Sequence, residues 1–245
     1  MDRVERAKVV VYERVTEAGR RRRAHRLYDE RTFQIIDRIT TPTSNCVDVG
    51  CHEGLVLRRI LQAAPQGQHF AFEPLPYLAE RLREWFPTVT VHEMALSDEP
   101  GHASFVHVVS NPGYSGLRER HYDRPDEELQ TIDVEVDTLD RVLPADVPIA
   151  FIKVDVEGGE LGVLRGARET ILRCQPHIVF EHGKGASEYY GTGPQAVYDF
   201  LAGDCGLRIS LLERFLGGKG SLSAAEFTKQ FETGANYYFV AHPPT

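Results

Sequence analysis

From residue 45 onward, short unbroken apolar runs alternate with apolar positions at helical spacing. Cys46-Val47-Asp48-Val49 is a run too short for a helix, and Leu57, Ile60, Leu61 and Ala64 follow at helical intervals. His69 to Glu73 forms the next run, then Leu78, Leu82, Trp85 and Phe86 mark a helix and Val89 to Val91 a third strand. The same order returns with Ile149 to Asp155, a helix carrying Leu161, Leu164, Ala167 and Ile171 over 159–172, and the strand His177 to Glu181. A helix around Val197, Phe200 and Leu201 precedes a strand from Leu207 to Leu211. Strands separated by single helices predict parallel βαβ units and a doubly wound α/β sheet.

Two stretches depart from this rhythm. Ala103 to Val109 and Thr131 to Val136 alternate like half-exposed strands around the polar segment Asn111-Pro112-Gly113-Tyr114-Ser115-Gly116, which predicts an inserted hairpin with a long loop. At the end, a Gly-rich turn at Gly217-Gly218-Lys219-Gly220, a short helix near Phe227 and the strand Tyr237 to Val240 predict an antiparallel pair at the sheet edge. Residues 1–40 read as helical, with Val4, Ala7 and Val11 on one face and Phe33, Ile36 and Ile39 on another. Thr40-Thr41-Pro42-Thr43-Ser44 interrupts the pattern, so an N-terminal helical segment, 1–44, is expected ahead of a domain over 45–245.

The chain's 245 residues, 42% of them apolar, are enough to bury a full core without disulfides or structural metals. No apolar run has membrane-spanning length and the N-terminus lacks an apolar signal core, so a cytoplasmic protein with no membrane span is expected. A net charge of −8 argues against a dedicated nucleic-acid binder. Arg20 to Arg23 form the one dense basic run, which reads as a solvated helix face or a phosphate-contacting surface. Cys46, Cys51, Cys174 and Cys205 have no C-x-x-C spacing, which speaks against a zinc or dithiol site.

In open parallel sheets, ligands bind beyond the carboxyl ends of the strands. The first of those ends is Asp48-Val49-Gly50-Cys51-His52-Glu53-Gly54. Gly50 and Gly54 bracket a strand-to-helix turn, and a glycine there admits positive φ and close approach of a ligand. Glu73, 19 residues past Gly54 and at the next strand end, is placed to accept both hydroxyl hydrogens of a ribose. The dinucleotide fingerprint G-x-G-x-x-G would put glycine where His52 stands, and Glu53 adds negative charge where a pyrophosphate would lie. S-adenosylmethionine carries no phosphate, and its cationic sulfonium suits the nearby carboxylates Asp48 and Asp155. Neither Gly183-Lys184-Gly185 nor Gly218-Lys219-Gly220 has Walker spacing.

Val47-Asp48-Val49-Gly50…Gly54, Phe72-Glu73-Pro74, Ala95-Leu96-Ser97-Asp98 and Ile152-Lys153-Val154-Asp155-Val156-Glu157-Gly158…Glu160…Leu164-Arg165-Gly166 together resemble the FkbM family of S-adenosylmethionine-dependent methyltransferases. Asn111…Tyr114-Ser115-Gly116-Leu117 is similar to the family's Ser/Gly loop. The resemblance implies a Rossmann-like class I methyltransferase fold, with a seven-stranded, mostly parallel sheet whose last strand is antiparallel. It implies S-adenosylmethionine as methyl donor and a hydroxyl of a sugar or natural product as acceptor. The cofactor-binding residues it points to are Asp48, Gly50, Cys51, His52, Gly54, Glu73, Pro74, Ala95, Ser97 and Asp155. His52 stands where the family usually has Asn. Met94 stands where many methyltransferases keep an acid, so the adenine is expected to pack on Met94 with backbone or Ser97 hydrogen bonds.

For a hydroxyl acceptor, a general base must lie within reach of the proton. His182, just past a strand end, is the first candidate, because an imidazole is largely neutral at neutral pH. Glu157 would orient His182 or grip a sugar hydroxyl, or serve only as a carboxylate at a helix N-terminus, as Glu160 does. Lys153 reads as structural, paired with a carboxylate. Asp155, Glu181 and His182 also form a set that would accept a divalent ion, though a metal is not favoured. Tyr114, Tyr189, Tyr190 and Tyr237 are candidates for lining an acceptor pocket. The N-terminal helices and the 110–130 loop are candidate lids, and a homodimer stays open. A nicotinamide-dependent oxidoreductase and a non-catalytic S-adenosylmethionine-binding module are the rival readings.

Overall fold

A computed structural model describes residues 17–122 and 126–244, with side chains from residue 23 onward. The positions Val4, Ala7 and Val11 and the side chains of Arg20 to Arg22 lie outside the described residues.

In chain order the first elements are α1 (Glu17–Ile39), β1 (Asn45–Val49), α2 (Leu55–Ala63), β2 (His69–Phe72), α3 (Pro76–Trp85) and β3 (Thr90–His92). The insertion follows as β4 (Ala95–Leu96), β5 (Gly101–Val108), β6 (Leu129–Asp137) and the one-turn α4 (Leu139–Val142). Then come β7 (Ile149–Val154), α5 (Glu160–Gly166), α6 (Arg168–Cys174), β8 (His177–Glu181) and α7 (Pro194–Tyr198). The chain closes with β9 (Arg208–Leu211), α8 (Leu212–Leu216), α9 (Ala224–Thr233) and β10 (Tyr238–His242).

Seven strands form one sheet in the order β3-β2-β1-β7-β8-β10-β9. Pairings from β3 to β8 are parallel, and β10 runs antiparallel to both β8 and β9. The expected antiparallel pair is therefore present, but the last strand is internal and β9 takes the edge. Strands buried on both faces read as continuous apolar runs, and β2 and the core of β7 do so because helices cover both sides. On one face, α1 contributes Tyr28, Ile35 and Ile36 to a cluster with Cys46, Phe151, Val179 and Val240. The opposite cluster joins Val47, Val49, Ile152, Val154 and Phe180 to Leu161, Leu164, Phe227 and Phe239.

The inserted hairpin is real: β5 and β6 pair antiparallel from Gly101↔Val136 to Val108↔Leu129. With β4 they make a separate three-stranded sheet, so Ala95 and Leu96 belong to that sheet and not to the end of β3. The helix expected over 159–172 is divided at Ala167 into α5 and α6. Gly166, just before the break, packs closely on the insertion: a Cβ there would overlap the carbonyl oxygen of Ser97. Among the described residues, no helix is long and apolar enough to cross a membrane.

Candidate functional site

The loop after β1 fixes the first half of the site. Gly50 and Cys51 donate their backbone N–H to the Phe72 carbonyl at 3.0 and 3.3 Å. Gly50 has φ +70°, and a Cβ there would overlap the carbonyl oxygen of Asp155, so only glycine lets the ends of β1 and β7 come together. Gly54 has φ +73°, and its missing Cβ would lie 2.5 Å from the Phe86 ring, which makes it a packing glycine at the start of α2. His52, between them, is itself left-handed at φ +47°.

Glu73 ties this loop to β2. One carboxylate oxygen accepts from the His52 N–H at 2.8 Å and the other from the Leu75 N–H at 3.0 Å. The side chain is only 5% exposed, and burial pushes its pKa up to about 7 against those two hydrogen bonds. Each oxygen keeps a second lone pair, so the group can still accept from a ligand diol.

Glu73 lines a crevice of about 610 Å³. Phe72, Met94, Leu96, Phe105 and Leu117 supply apolar wall, while His52, Glu73, Asp155 and Glu157 supply polar groups. Neither Lys nor Arg is among its described lining residues. A phosphate-bearing cofactor would meet three carboxylates and no Lys or Arg among the described lining residues. A nucleoside carrying a sulfonium meets an apolar slot, a diol acceptor and negative charge, so these residues fit S-adenosylmethionine.

A second compartment of about 1090 Å³ shares Gly50, His52, Gly113, Asp155 and Glu157 with the first. Its wall adds His25, Asp29 and Thr32 from α1, Tyr114 from the 110–122 segment, and Lys153, Glu181 and Tyr238 from the sheet. The 110–122 segment covers both spaces. It is pinned by reciprocal backbone bonds between Val106 and Gly116 and by the Ser115 hydroxyl accepting from the Val108 N–H at 3.0 Å.

Asp155 and Glu157 stand where the two spaces meet. Lys153, buried beneath them, donates to the Gly50 carbonyl at 2.6 Å and lies 3.6 Å from Asp48 and 3.5 Å from Asp155. The Tyr238 hydroxyl donates to Asp155 at 2.6 Å. Burial raises the Asp155 pKa, but Lys153, the Tyr238 hydroxyl and Glu181 outweigh it and hold the carboxyl below its usual range. Glu181 responds in the opposite sense, raised first by burial and then by the charge on Asp155. The two carboxyls lie close enough that their titrations depend on one another.

Glu157 has φ +58°, a conformation that costs a non-glycine residue about 1–3 kcal/mol and that the surrounding contacts must enforce. Arg120 ion-pairs with it. That guanidinium sits 4.6 Å from the Tyr114 ring centroid, itself part of the covering segment. Burial pushes the Glu157 pKa up to about 8, although Arg120 pulls the other way.

The sequence-derived candidates divide into those that reach these spaces and those that do not. Gly50, His52, Glu73, Pro74, Ala95, Asp155 and Glu157 line the first, and Cys51 lines the second. Asp48 does not: it is 0% exposed and faces Lys153 behind the loop, so its effect on a ligand runs through that lysine. Ser97 is turned away as well, with its hydroxyl donating to Asp98 and its carbonyl against Gly166. His182 is 1% exposed and lines neither compartment. Its ring stacks on Phe231 at 4.9 Å and on Phe227 at 5.9 Å, neither ring nitrogen has a hydrogen-bond partner, and burial pushes its pKa down to about 4. β8 ends at Glu181, which lines the second compartment, and the next residue, His182, turns into the aromatic core instead of toward the site. The metal set changes for the same reason. Asp155, Glu157 and Glu181 each offer an oxygen within 4.8 Å of the others, and His182 is not among them. Tyr114 and Tyr190 line the spaces, whereas Tyr189 and Tyr237 do not.

Residues 48–209 match the family described as the Methyltransferase FkbM domain. This chain belongs to the FkbM methyltransferase family. It is 30% identical over 188 residues to the 2-O-methyltransferase NoeI of Sinorhizobium fredii (strain NBRC 101917 / NGR234), covering 69% of this chain and 75% of NoeI. The crystal structure of Methyltransferase FkbM from Methylobacillus flagellatus KT superposes with a TM-score of 0.52 at 15% identity, covering 83% of this chain. The chain spans 44% of that structure's length. The match carries the loop after β1, Glu73 and the Asp155–Glu157 turn of this FkbM chain. His25, Asp29, Thr32 and Tyr238, which complete the second compartment, lie outside it. Sequence reasoning missed these four and Arg120. Each sits in a segment whose pattern signals only a helix, an aromatic strand or a polar loop, and chain folding alone brings it to the site.

Proposed function

We propose that this chain transfers a methyl group from S-adenosylmethionine to a hydroxyl of a sugar or natural-product acceptor. The observation that carries the reading is the junction at Asp155 and Glu157 between an apolar, cation-free crevice and a polar compartment. The likeness to a 2-O-methyltransferase supports oxygen as the acceptor atom.

When bound, S-adenosylmethionine supplies a methyl group made electrophilic by a positive sulfur. Glu73 would hold its ribose diol, Met94, Leu96 and Phe105 its base, and Asp155 its charged end. The acceptor then occupies the second compartment, with the hydroxyl directed at the junction. Holding two reactants in line there contributes up to about 7–11 kcal/mol of the barrier. Glu157 takes the hydroxyl proton on a carboxylate oxygen. Its raised pKa makes it a stronger base than Asp155, whose carboxyl Lys153 and the Tyr238 hydroxyl hold below its usual range through one oxygen, Oδ2. The 110–122 segment excludes bulk water from the junction.

The experiment is methyl transfer from radiolabelled S-adenosylmethionine to a panel of neutral saccharides and hydroxylated natural products. Label appearing as an alkali-stable ether on an acceptor is the expected result. Binding of S-adenosylhomocysteine with no labelled product across the panel would instead support a binding module. Binding of NADH in its place would restore the oxidoreductase reading.

A further inference from the structure

The far end of the sheet holds a second basin that the proposed chemistry does not use. It opens at the first residues of β8 and β9 and the last residue of β10, and measures about 1510 Å³. His177 stands at the start of β8 and Glu181 at its end, so about 13 Å of strand separates this basin from the carboxylate junction.

Three cations, Arg38, Arg208 and Lys219, and two imidazoles line the basin. Arg208 on edge strand β9 is directly opposite His242 on β10, and His242 stacks on His177 of β8 at 6.4 Å. In-register side chains share one face of a sheet, so these three form a row across adjacent strands. The Phe215 ring closes one side, 5.4 Å from His177 and 5.0 Å from His242, with the Arg38 guanidinium 5.7 Å above it. Lys219, in the turn after α8, completes the rim.

None of the described lining residues is acidic, in a chain whose net charge is −8. Arg208 and Lys219 form no ion pair with a described residue, and Arg38 spends one nitrogen on the Phe215 and Leu216 carbonyls. The imidazoles are neutral: burial above all pushes His177 down to about 4, and burial lowers His242 against the pull of the Pro243 carbonyl. Three cations around one concavity, with no acidic side chain among its described lining residues, create a positive potential there.

We infer that this basin binds a small anion bearing a phosphoryl or sulfo group, held by Arg208, Lys219 and Arg38 with the imidazole row beneath it. Arginine is suited to this by its planar fork, which can grip two oxygens of one such group. The concave shape and the three converging cations favour a compact ligand over an extended polyanion.

The test is isothermal titration of the full chain with inorganic pyrophosphate and, separately, inorganic sulfate. Saturable binding is expected, and Arg208→Ser and Lys219→Ser should each weaken it about tenfold, the effect of one charge-assisted hydrogen bond. Both side chains are exposed, so melting temperature should be unchanged in either variant. Tighter pyrophosphate than sulfate assigns a phosphoryl ligand, and the reverse order a sulfo ligand. Glu73→Ala, in the other crevice, should bind the probe as the parent chain does. Absence of saturable binding by both probes, binding that survives the double substitution, or binding lost in Glu73→Ala would each overturn the assignment.

Discussion

Replacing His182 by Phe separates a core histidine from a catalytic one. In the folded chain the ring lies between Phe231 and Phe227, with burial holding its pKa at about 4 against an ordinary 6.5. The unfolded chain therefore takes up this proton first as pH falls. Above about 6.5 neither state is protonated and His182 adds no pH dependence. Between about 6.5 and about 4 its linkage subtracts stability, and below that the loss levels off. A shift of that size corresponds to about 3 kcal/mol. His182→Phe removes the titration, along with two buried ring nitrogens that have no partner. Its larger ring adds a packing cost that does not vary with pH. Urea unfolding of both proteins from neutral pH to about 4 should show the variant gaining about 3 kcal/mol relative to the parent. Methyl transfer at neutral pH should be close to the parent's. A stability difference constant across that range would refute the buried neutral imidazole. Loss of turnover in a folded variant would return His182 to the reaction.

Three further outcomes follow from the same site. Gly50→Ala places a Cβ against the Asp155 carbonyl at φ +70°, so it should lose at least about 1–2 kcal/mol from the left-handed conformation alone, read by urea denaturation, and weaken cofactor binding. Lys153→Met leaves Asp48 buried without the cation 3.6 Å away and should cost about 3–5 kcal/mol; a loss below about 1 kcal/mol in a melt would show that Asp48 is neutral in the folded chain. Turnover should rise with pH through about 8 as Glu157 loses its proton, and Glu157→Gln should remove that rise along with most of the rate; a flat profile in the parent enzyme would exclude Glu157 as the base.

The strand-and-helix alternation was legible because a parallel sheet covered on both faces turns each strand into an apolar run, as His69–Phe72 and Ile149–Val154 show. Gly50, His52 and Glu73 were legible because strand ends and turn chemistry are local. Sequence gives the distance of His182 from a strand end but not whether the chain turns it outward or toward Phe227 and Phe231. The placement of Ser97 was hidden for a related reason: β4 pairs with β6, some forty residues away, and that pairing decides where its side chain points. Arg120 and Tyr238 reach Glu157 and Asp155 from segments far along the chain, and no spacing rule encodes such a meeting. The break at Ala167 was also hidden, since the apolar positions continue at helical intervals through it.

The central claim is that the crevice beside Glu73 takes a phosphate-free nucleoside by its ribose. Calorimetric titration of S-adenosylhomocysteine into the parent chain and into Glu73→Ala tests it most directly. Saturable binding to the parent is expected, with a loss of about tenfold to a hundredfold in the variant, the range for hydrogen bonds to a charged group. Equal affinity in the two proteins, or no binding by the parent, would contradict it.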